Sequence, residues 1–217
     1  VYVYNSSSSS SRPGIKISSN SLAIKCEGIS TKGYGIIFTS SNNIVFDCYL
    51  HDSTYGIWFS NTAVAIINSI IDRTTVGANL GNSSNQRFIN NTFYDCNTNI
   101  LSTGSLYSQF INNIFSKSSV AGANWTAEAP TNFWDYNVWH DCAANVNVTK
   151  GVHDQTDVDP QFVDPENGNF AIGTNLKADG IPGLFPGGLS TGYIDPGAVQ
   201  RQEPAAGGSS VWVGEGS

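Results

Sequence analysis

Charged side chains recur at regular intervals along the chain, in a pattern that could support acid–base chemistry. The recurring positions, 21 to 24 residues apart, are Ser30, Asp52, Arg73, Asp95, Lys117 and Asp141. His51 and Asp72 stand beside this series, one residue earlier. Paired carboxylates act as general acid and base in glycoside hydrolysis, and a nearby histidine or arginine can serve as base or anchor. The candidate catalytic residues are therefore His51, Asp52, Asp72, Arg73 and Asp95.

The same charged series also has a purely structural interpretation. Its sign alternates from Asp52 to Arg73, and again from Asp95 to Lys117. Opposite charges on adjacent strands attract, whereas an active site needs several functional groups clustered at one place. The regular alternation therefore favours an exposed ladder of salt bridges over catalysis.

A repeat of about 22 residues organises most of the chain. RFINNTFYDC at 87–96 aligns with QFINNIFSKS at 109–118, and looser copies begin at residues 22, 44, 65 and 133. The alignment places the following side chains in one column: Cys26, Cys48, Ser69, Asn91, Asn113 and Asn137. Stacked asparagines can form hydrogen bonds between successive repeats, so Asn91, Asn113 and Asn137 are predicted to form a structural ladder.

A second column of the alignment consists of glycine and asparagine. Its members are Gly35, Gly56, Gly77, Asn99, Gly122 and Asn145. Glycine and asparagine accept left-handed backbone angles more readily than other residues. The column therefore predicts a tight left-handed corner in every repeat.

Each repeat contains three short apolar runs separated by polar residues, such as GIIF, IVF and YL. Runs of this length fit strands of about three to five residues and are too short for helices. Stacked repeats would place equivalent residues ~4.8 Å apart and generate three parallel sheets. The sequence thus predicts an all-β parallel solenoid of about six to seven coils, followed by an irregular C-terminal cap and an extended tail.

The rhythm of these repeats resembles that of the right-handed parallel β-helix repeat proteins. The NN-T/I-F repeats carry the resemblance, together with DPQFVDPENGNFAI at 159–172 and GYIDPGAVQ at 192–200. It spans roughly residues 14–200 and implies an exported or surface protein that is the C-terminal part of a longer precursor. Enzymes of this fold act on polysaccharides at an exposed sheet face, which implies a lyase or hydrolase as one function. The polygalacturonase-like patterns NTD, DD, GHG and RIK do not occur in this sequence.

An acidic segment towards the C-terminal end contains Asp157, Asp159 and Asp164. Calcium takes six to eight oxygen ligands, so these carboxylates are candidate calcium ligands. Their spacing does not fit an EF-hand loop, however, and Asp-Pro and Asn-Gly pairs are common in turns. We therefore expect turns here and no cofactor, with calcium as the alternative.

The four cysteines include no CxxC pair, which argues against a zinc ribbon or a thioredoxin-type site. Cys26 and Cys48 share a column in successive repeats, so their backbones would lie ~4.8 Å apart, within the range of a disulfide. A Cys26–Cys48 disulfide fits an exported protein, and a pair of stacked free thiols fits the same geometry.

Composition limits the partners and the location. The net charge of −7, with only 10 Lys and Arg, argues against nucleic acid. No apolar run approaches the ~18 residues of a membrane span. N-x-S/T triplets, typical of exported proteins, occur at Asn5, Asn82, Asn90, Asn124 and Asn147. We predict an extracellular, cell-surface or virion-surface protein whose partners are copies of itself, other subunits of an assembly, or glycans.

The chain divides into four parts by composition. They are an N-terminal strand with a Ser-rich segment (1–13), the coils (14–145), a capping segment (146–202) and a Gly/Ser-rich tail with a short β-prone strand (203–217). In the capping segment, Phe162, Phe170 and Ile172 are expected to cover the last coil and seal its core.

Both ends of the chain carry residues suited to assembly. The β-prone residues are Val1, Tyr2, Val3 and Tyr4 at one end and Val211, Trp212 and Val213 in the tail. We expect the first group to form a strand at an uncovered end of the solenoid, and a neighbouring subunit to accept the second group as an added strand. Head-to-tail contacts of this kind extend into filaments or lattices.

Three functions are compatible with the sequence. The favoured one is a non-catalytic structural subunit of an extracellular or virion surface assembly. A polysaccharide lyase or glycoside hydrolase would need Asp52, Arg73, Asp72 and Asp95 to line an open groove. A glycan-binding module would need exposed aromatic side chains in the coil at 125–139.

Overall fold

The computed structural model describes residues 2–4, 13–18, 20–29, 32–60, 63–126, 131–145, 147–177, 179–181 and 194–200. These residues form a parallel β-solenoid of short strands, with 3₁₀ turns at Pro165–Asn167 and Thr174–Leu176. Among them, no helix is long and apolar enough to cross a membrane. The predicted assembly residues Val1, Val211, Trp212 and Val213 lie outside the described residues.

The strands, numbered in chain order, lie in three parallel sheets. Sheet 1 contains β1 (Tyr2–Tyr4), β4 (Glu27–Ile29), β7 (Tyr49–His51), β10 (Ile70–Asp72), β13 (Thr92–Tyr94), β16 (Ile114–Ser118), β19 (Val138–Cys142) and β20 (Gln155–Thr156). Sheet 2 contains β2 (Ile15–Ile17), β5 (Tyr34–Phe38), β8 (Tyr55–Phe59), β11 (Val76–Gly81), β14 (Thr98–Ser102) and β17 (Ala121–Trp125). Sheet 3 contains β3 (Leu22–Ile24), β6 (Asn43–Phe46), β9 (Val64–Ile67), β12 (Arg87–Ile89), β15 (Gln109–Ile111) and β18 (Phe133–Asp135).

The predicted all-β solenoid with three parallel sheets is confirmed, and the number of coils is slightly lower than predicted. Sheets 2 and 3 contain six strands each in the described part of the chain, which corresponds to about five complete turns. Among the described residues after Cys142, only the two-residue strand β20 joins one of the three sheets, namely sheet 1. The predicted N-terminal strand is present as β1, which pairs in parallel with β4.

Aromatic side chains fill the interior of the later coils. Phe110 stacks on Trp134 with ring centroids 3.8 Å apart, and Phe115 stacks on Trp139 at 4.3 Å. Trp125, Trp134 and Trp139 are all buried. Stacked rings stabilise a core beyond the area they bury. The tryptophans of the 125–139 coil therefore serve as core, whereas Phe133 of the same coil is 50% exposed.

The column of glycine and asparagine does not form a left-handed corner, so that prediction is wrong. Left-handed backbone angles occur instead in the charged series, with φ of 49° at Asp52 and 46° at Arg73. The glycines are explained by a close approach between coils. A Cβ on Gly56 would lie 2.6 Å from the carbonyl oxygen of Gly77, and one on Gly77 would lie 2.5 Å from that of Asn99.

The predicted asparagine ladder runs through the buried corner between sheets 3 and 1. Asn113 Nδ2 donates to Asn137 Oδ1 at 3.0 Å and to the Phe88 carbonyl at 2.9 Å, and Asn113 Oδ1 accepts the Asn91 backbone N–H at 2.9 Å. The ladder ends on Asp154, whose Oδ1 accepts the backbone N–H of Asn137 at 2.8 Å. Burial raises the pKa of this terminal carboxyl, although the hydrogen bonds that it accepts act in the opposite direction.

At its other end, the same column begins with the thiols of Cys26 and Cys48. Cys48 Sγ accepts the backbone N–H of Cys26 at 3.3 Å and lies 3.4 Å from the Phe46 carbonyl. All four cysteines are free thiols in the structure, so no disulfide joins Cys26 to Cys48. Burial raises the pKa of Cys48 to about 11, which keeps its thiol protonated and unreactive at neutral pH.

The C-terminal segment lies along the outer face of sheet 1 rather than over the last coil, which corrects the predicted position of Phe162 and Phe170. The Phe170 ring contacts the rings of Tyr49 and Tyr94, at centroid distances of 6.4 and 5.5 Å. Leu176 packs against Ile114 and Val138 on the same face. The apolar side chains of the segment thus pack across several successive strands and cover sheet 1 from outside.

Candidate functional site

Four of the five candidate catalytic residues meet where sheet 1 ends in a left-handed corner. His51 and Asp72 are the last residues of β7 and β10 and lie side by side in register. Asp52 and Arg73 follow them at the corner itself, where positive φ angles turn the chain towards sheet 2. Sequence repeats of 21 residues therefore bring these groups onto adjacent coils.

Hydrogen bonds and ion pairs join these side chains into one network. Arg73 Nε donates to Asp52 Oδ1 at 3.2 Å, and the Arg73 guanidinium also forms an ion pair with Asp72. Tyr49 OH donates to Asp72 Oδ2 at 2.8 Å and accepts from Arg73 Nη2 at 3.3 Å. The Arg73 guanidinium thus forms ion pairs with both aspartates of the network.

His51 connects the network to one further acid. Its Nδ1 lies 2.6 Å from Asp52 Oδ2, and its Nε2 lies 2.9 Å from Glu27 Oε1. Neither Tyr49 nor Glu27 was among the residues predicted from the charged series. Both open their strands, two residues before His51 and Ile29, and side chains two apart in a strand share a face. The period-two spacing in the sequence therefore places them on the same face of sheet 1 as His51.

Burial and charge shift the pKa values of Asp52 and Asp72 in opposite directions. Asp72 is fully buried, and burial raises its pKa to about 6, despite the opposing effects of Tyr49 and Arg73. Burial also acts to raise the pKa of Asp52, but the hydrogen bonds from Arg73 and His51 outweigh it, so the pKa of Asp52 falls below its ordinary value. Of the two aspartates, Asp72 thus holds a proton more strongly.

The pKa of Asp72 predicts how stability depends on pH. A pKa raised in the folded state means that folding stabilises the protonated acid, so this contribution is present below about pH 4 and is lost as the pH rises to about 6. In urea unfolding at a series of pH values, the free energy of unfolding of Asp72→Asn relative to wild type should rise by about 2 kcal/mol between pH 4 and pH 7. Parallel pH profiles for the two proteins would contradict the assignment.

Asp52→Asn is the matched control, because the pKa of Asp52 is shifted in the opposite direction. An acid with a lowered pKa in the folded state stabilises the protein above its ordinary pKa, and that contribution is lost as the pH falls. The wild type should therefore lose its stability advantage over Asp52→Asn on acidification. The two variants are expected to differ from wild type with opposite pH trends.

Asp95 belongs to a second, separate group. Lys117 Nζ lies 3.4 Å from Asp95 Oδ2 and 3.4 Å from Glu166 Oε1 of the C-terminal segment. Tyr94 OH donates to the same Glu166 oxygen at 3.2 Å. The Asp95–Lys117 pair and the Asp52–Arg73 pair each join adjacent coils, which is the arrangement that a ladder of salt bridges requires.

A shallow groove runs along the corner between these groups, with a volume of about 530 Å³. It is lined by Asp52, Ser53, Thr54, Arg73, Thr74, Thr75, Asp95 and Asn97. Asp72 is absent from this lining and is fully buried. The groove thus contains three of the four residues that an enzyme of the predicted kind would need, and lacks the acid whose pKa is raised.

The candidate calcium ligands lie in irregular parts of the C-terminal segment, outside its strand and its 3₁₀ turns. Asp159 Oδ1 accepts the backbone N–H of Gln161 at 2.8 Å, and Asp164 Oδ2 accepts from Asn167 Nδ2 at 2.9 Å. Asp157 has a left-handed backbone with φ of 62°. Within the described ranges, no group of three or more His, Cys, Asp or Glu side chains is arranged to hold a metal ion.

The outer face of sheet 3 carries a second feature, which we call the apolar column. It consists of Ile24, Phe46, Ile67, Ile89 and Ile111, which are paired in register on successive strands. Ile24 is 47% exposed, and the other four are partly exposed. Leu22 and Ile44 lie beside the column and are also exposed. Unlike sheet 1, this face shows an apolar stripe on its outside over five coils.

A family model described as "Right handed beta helix region" matches residues 2–159. The chain belongs to this right-handed β-helix family. No curated protein and no solved structure matches it. The resemblance inferred from the repeats is thereby confirmed, and family membership supports the fold of this β-helix without specifying a reaction.

Proposed function

We propose that this β-helix is a non-catalytic structural subunit of an extracellular or virion surface assembly, which joins its neighbours through an exposed face of the solenoid. The observation that carries the proposal is the apolar column on sheet 3. Contiguous apolar side chains at the surface of a soluble protein mark interaction sites, because burying them removes unfavourable contact with water.

The state of sheet 1 supports a non-catalytic role. Its outer face is packed against the C-terminal segment through Phe170 and Leu176, both buried. In the same sheet, Asp72 is buried, and Asp52 at the adjoining corner is paired with Arg73 and His51. A general acid or base must reach the substrate. A side chain that is buried, as Asp72 is, does not meet a substrate in this arrangement.

The exposed side chains of sheet 3 support association with another sheet or strand. Two sheets pack face to face at ~10 Å when both present apolar side chains. The apolar column supplies one such surface along four successive steps of ~4.8 Å, or roughly 19 Å of the rod. The sequons and the low content of charged residues support a location outside the cell or on a virion.

A lysine in the apolar column tests the proposal. Ile67→Lys places a charge at the centre of the column, where burying it in an interface is strongly unfavourable. In sedimentation velocity over a concentration series, the wild-type chain should form larger species at high concentration, and Ile67→Lys should weaken this association about 30-fold or more.

Leu101→Lys is the matched control for that substitution. Leu101 is also a partly exposed apolar residue in the middle of the solenoid, but it lies on the outer face of sheet 2. Leu101→Lys changes the net charge by the same amount as Ile67→Lys and should leave association unchanged. A wild-type chain that stays monomeric at every concentration would overturn the proposal.

A β-helix polysaccharide lyase or glycoside hydrolase is the second candidate function. The groove along the corner favours it, because Asp52, Arg73 and Asp95 reach the solvent there. Neither calcium nor another cofactor is part of either proposal, and glycans enter only as substrates of the second.

A further inference from the structure

We infer that the apolar column of one copy is the docking surface for the segment Val211–Val213 of a second copy of this chain. The inference rests on the proposed function, because it names the surfaces through which neighbouring copies would join. It follows from the position of the column, the path of the last described residues and the chemistry of the tail.

The column is bordered by the corner between sheets 3 and 1. Each of its members is followed at this corner by a residue with a left-handed backbone, namely Lys25, Asp47, Asn68, Asn90 or Asn112. Any chain that lies along this corner therefore runs directly beside the column. The repeat thus places this corner immediately next to the five apolar side chains of the column.

Residues 194–200 occupy this border. Asn112 Nδ2 donates to the Asp195 carbonyl at 2.9 Å, and the Gly197 N–H donates to the Asn112 carbonyl at 2.9 Å. One residue later, the Ala198 N–H donates to Thr92 Oγ1 at 3.0 Å, one coil earlier in the solenoid. The segment thus runs towards the earlier coils, opposite to the direction in which successive coils follow one another along the chain.

The end of this path lies beside the first coils. Ala198 and Val199 line a cavity of about 360 Å³ together with Lys25, Asp47 and Asn68 of the border. From the level of Asn68 to that of Lys25 the rod extends two steps, about 10 Å. An extended chain between Val199 and Val211 spans about 40 Å. A chain of this length is therefore long enough to reach past the level of Ile24 and to contact the column of another copy.

The tail supplies a suitable occupant. Val211, Trp212 and Val213 form an apolar, β-prone unit that is preceded and followed by glycine and serine. Tryptophan is among the residues that contribute most at interfaces, because its large ring buries much apolar surface at a small loss of conformational freedom. The aliphatic side chains of the apolar column offer a complementary surface for that ring.

Two full-length variants, when mixed, test this inference. Ile67→Lys disrupts the apolar column and leaves the tail unchanged. The triple variant Val211→Ser, Trp212→Ser, Val213→Ser removes the apolar side chains of the tail and leaves the column unchanged. Each variant alone should be monomeric by sedimentation velocity. An equimolar mixture should form a dimer, because one partner supplies an intact tail and the other an intact column.

The controls separate failure of the inference from failure of the proposed function. If wild type associates and the triple variant associates equally well, the tail is not the occupant, and the inference is overturned while the proposed function stands. If the mixture stays monomeric although wild type associates, the inference is likewise overturned. If wild type itself stays monomeric, both fail. Unchanged far-ultraviolet circular dichroism of each variant verifies that the solenoid is intact.

Discussion

Asn113→Ala is expected to lower the free energy of unfolding by about 3 to 5 kcal/mol. Asn113 is fully buried, and its amide accepts the Asn91 backbone N–H and donates to the Phe88 carbonyl and to Asn137. Alanine would leave a buried donor of Asn91 and a buried acceptor of Phe88 without partners. Each unsatisfied buried group costs about 1–3 kcal/mol. Urea unfolding followed by circular dichroism measures the loss.

Asn124→Ala is the matched control for Asn113→Ala. Asn124 is in β17, at the same end of the solenoid, and its side chain is partly exposed on the outer face of sheet 2. Removing an amide that water can replace should change the free energy of unfolding by less than about 0.5 kcal/mol. Similar losses for the two variants would mean that the ladder does not hold the coils together.

Gly77→Ala is expected to lower the free energy of unfolding by about 3 kcal/mol. A Cβ at position 77 would lie 2.5 Å from the carbonyl oxygen of Asn99 and 2.7 Å from Phe93 Cδ1. The first contact is with backbone, so the adjacent coil must move. Movement of one coil disturbs the hydrogen bonds on both of its sides, because every strand of sheet 2 is registered to its neighbours. Thermal and urea unfolding measure the loss.

Gly104→Ala makes the same chemical change at a position with more room. A Cβ at Gly104 would lie 3.1 Å from Asn82 Oδ1, the end of a side chain that can move. We expect a change below about 1 kcal/mol for this variant. If Gly104→Ala were as destabilising as Gly77→Ala, the close approach of the coils would not be the reason for glycine at position 77.

The coil-to-coil relationships were predictable because a solenoid repeats the same local arrangement. Asn91 and Asn113 are 22 residues apart, and the structure places them one coil apart with the side chain of one on the backbone of the other. A period in the sequence becomes a stack in space, since each strand pairs with the strand one repeat away. The end of the ladder at Asp154 was missed, because the last step shortens to 17 residues.

The reason for the glycines was not predictable from residue type alone. Glycine at 56 and 77 could signal either a left-handed backbone or a place where another chain segment approaches closely. The backbone at these positions is not left-handed, and the adjacent carbonyl oxygens leave no room for a Cβ. Left-handed angles occur instead at residues such as Asp52 and Arg73, which have side chains. The short distance between coils is therefore the reason for glycine at these two positions.

The sequence by itself determined the repeat, the parallel solenoid, the buried asparagine ladder and the alternating charges, because each depends on equivalent positions in successive repeats. Only the tertiary structure decided which outer face is covered. Phe170 reaches Tyr49 and Tyr94 across a long sequence separation, so no local pattern specifies that sheet 1 is covered. The apolar column is left at the surface for the same reason: its residues are as apolar as their buried neighbours, such as Val45 and Phe88, and packing alone distinguishes inside from outside.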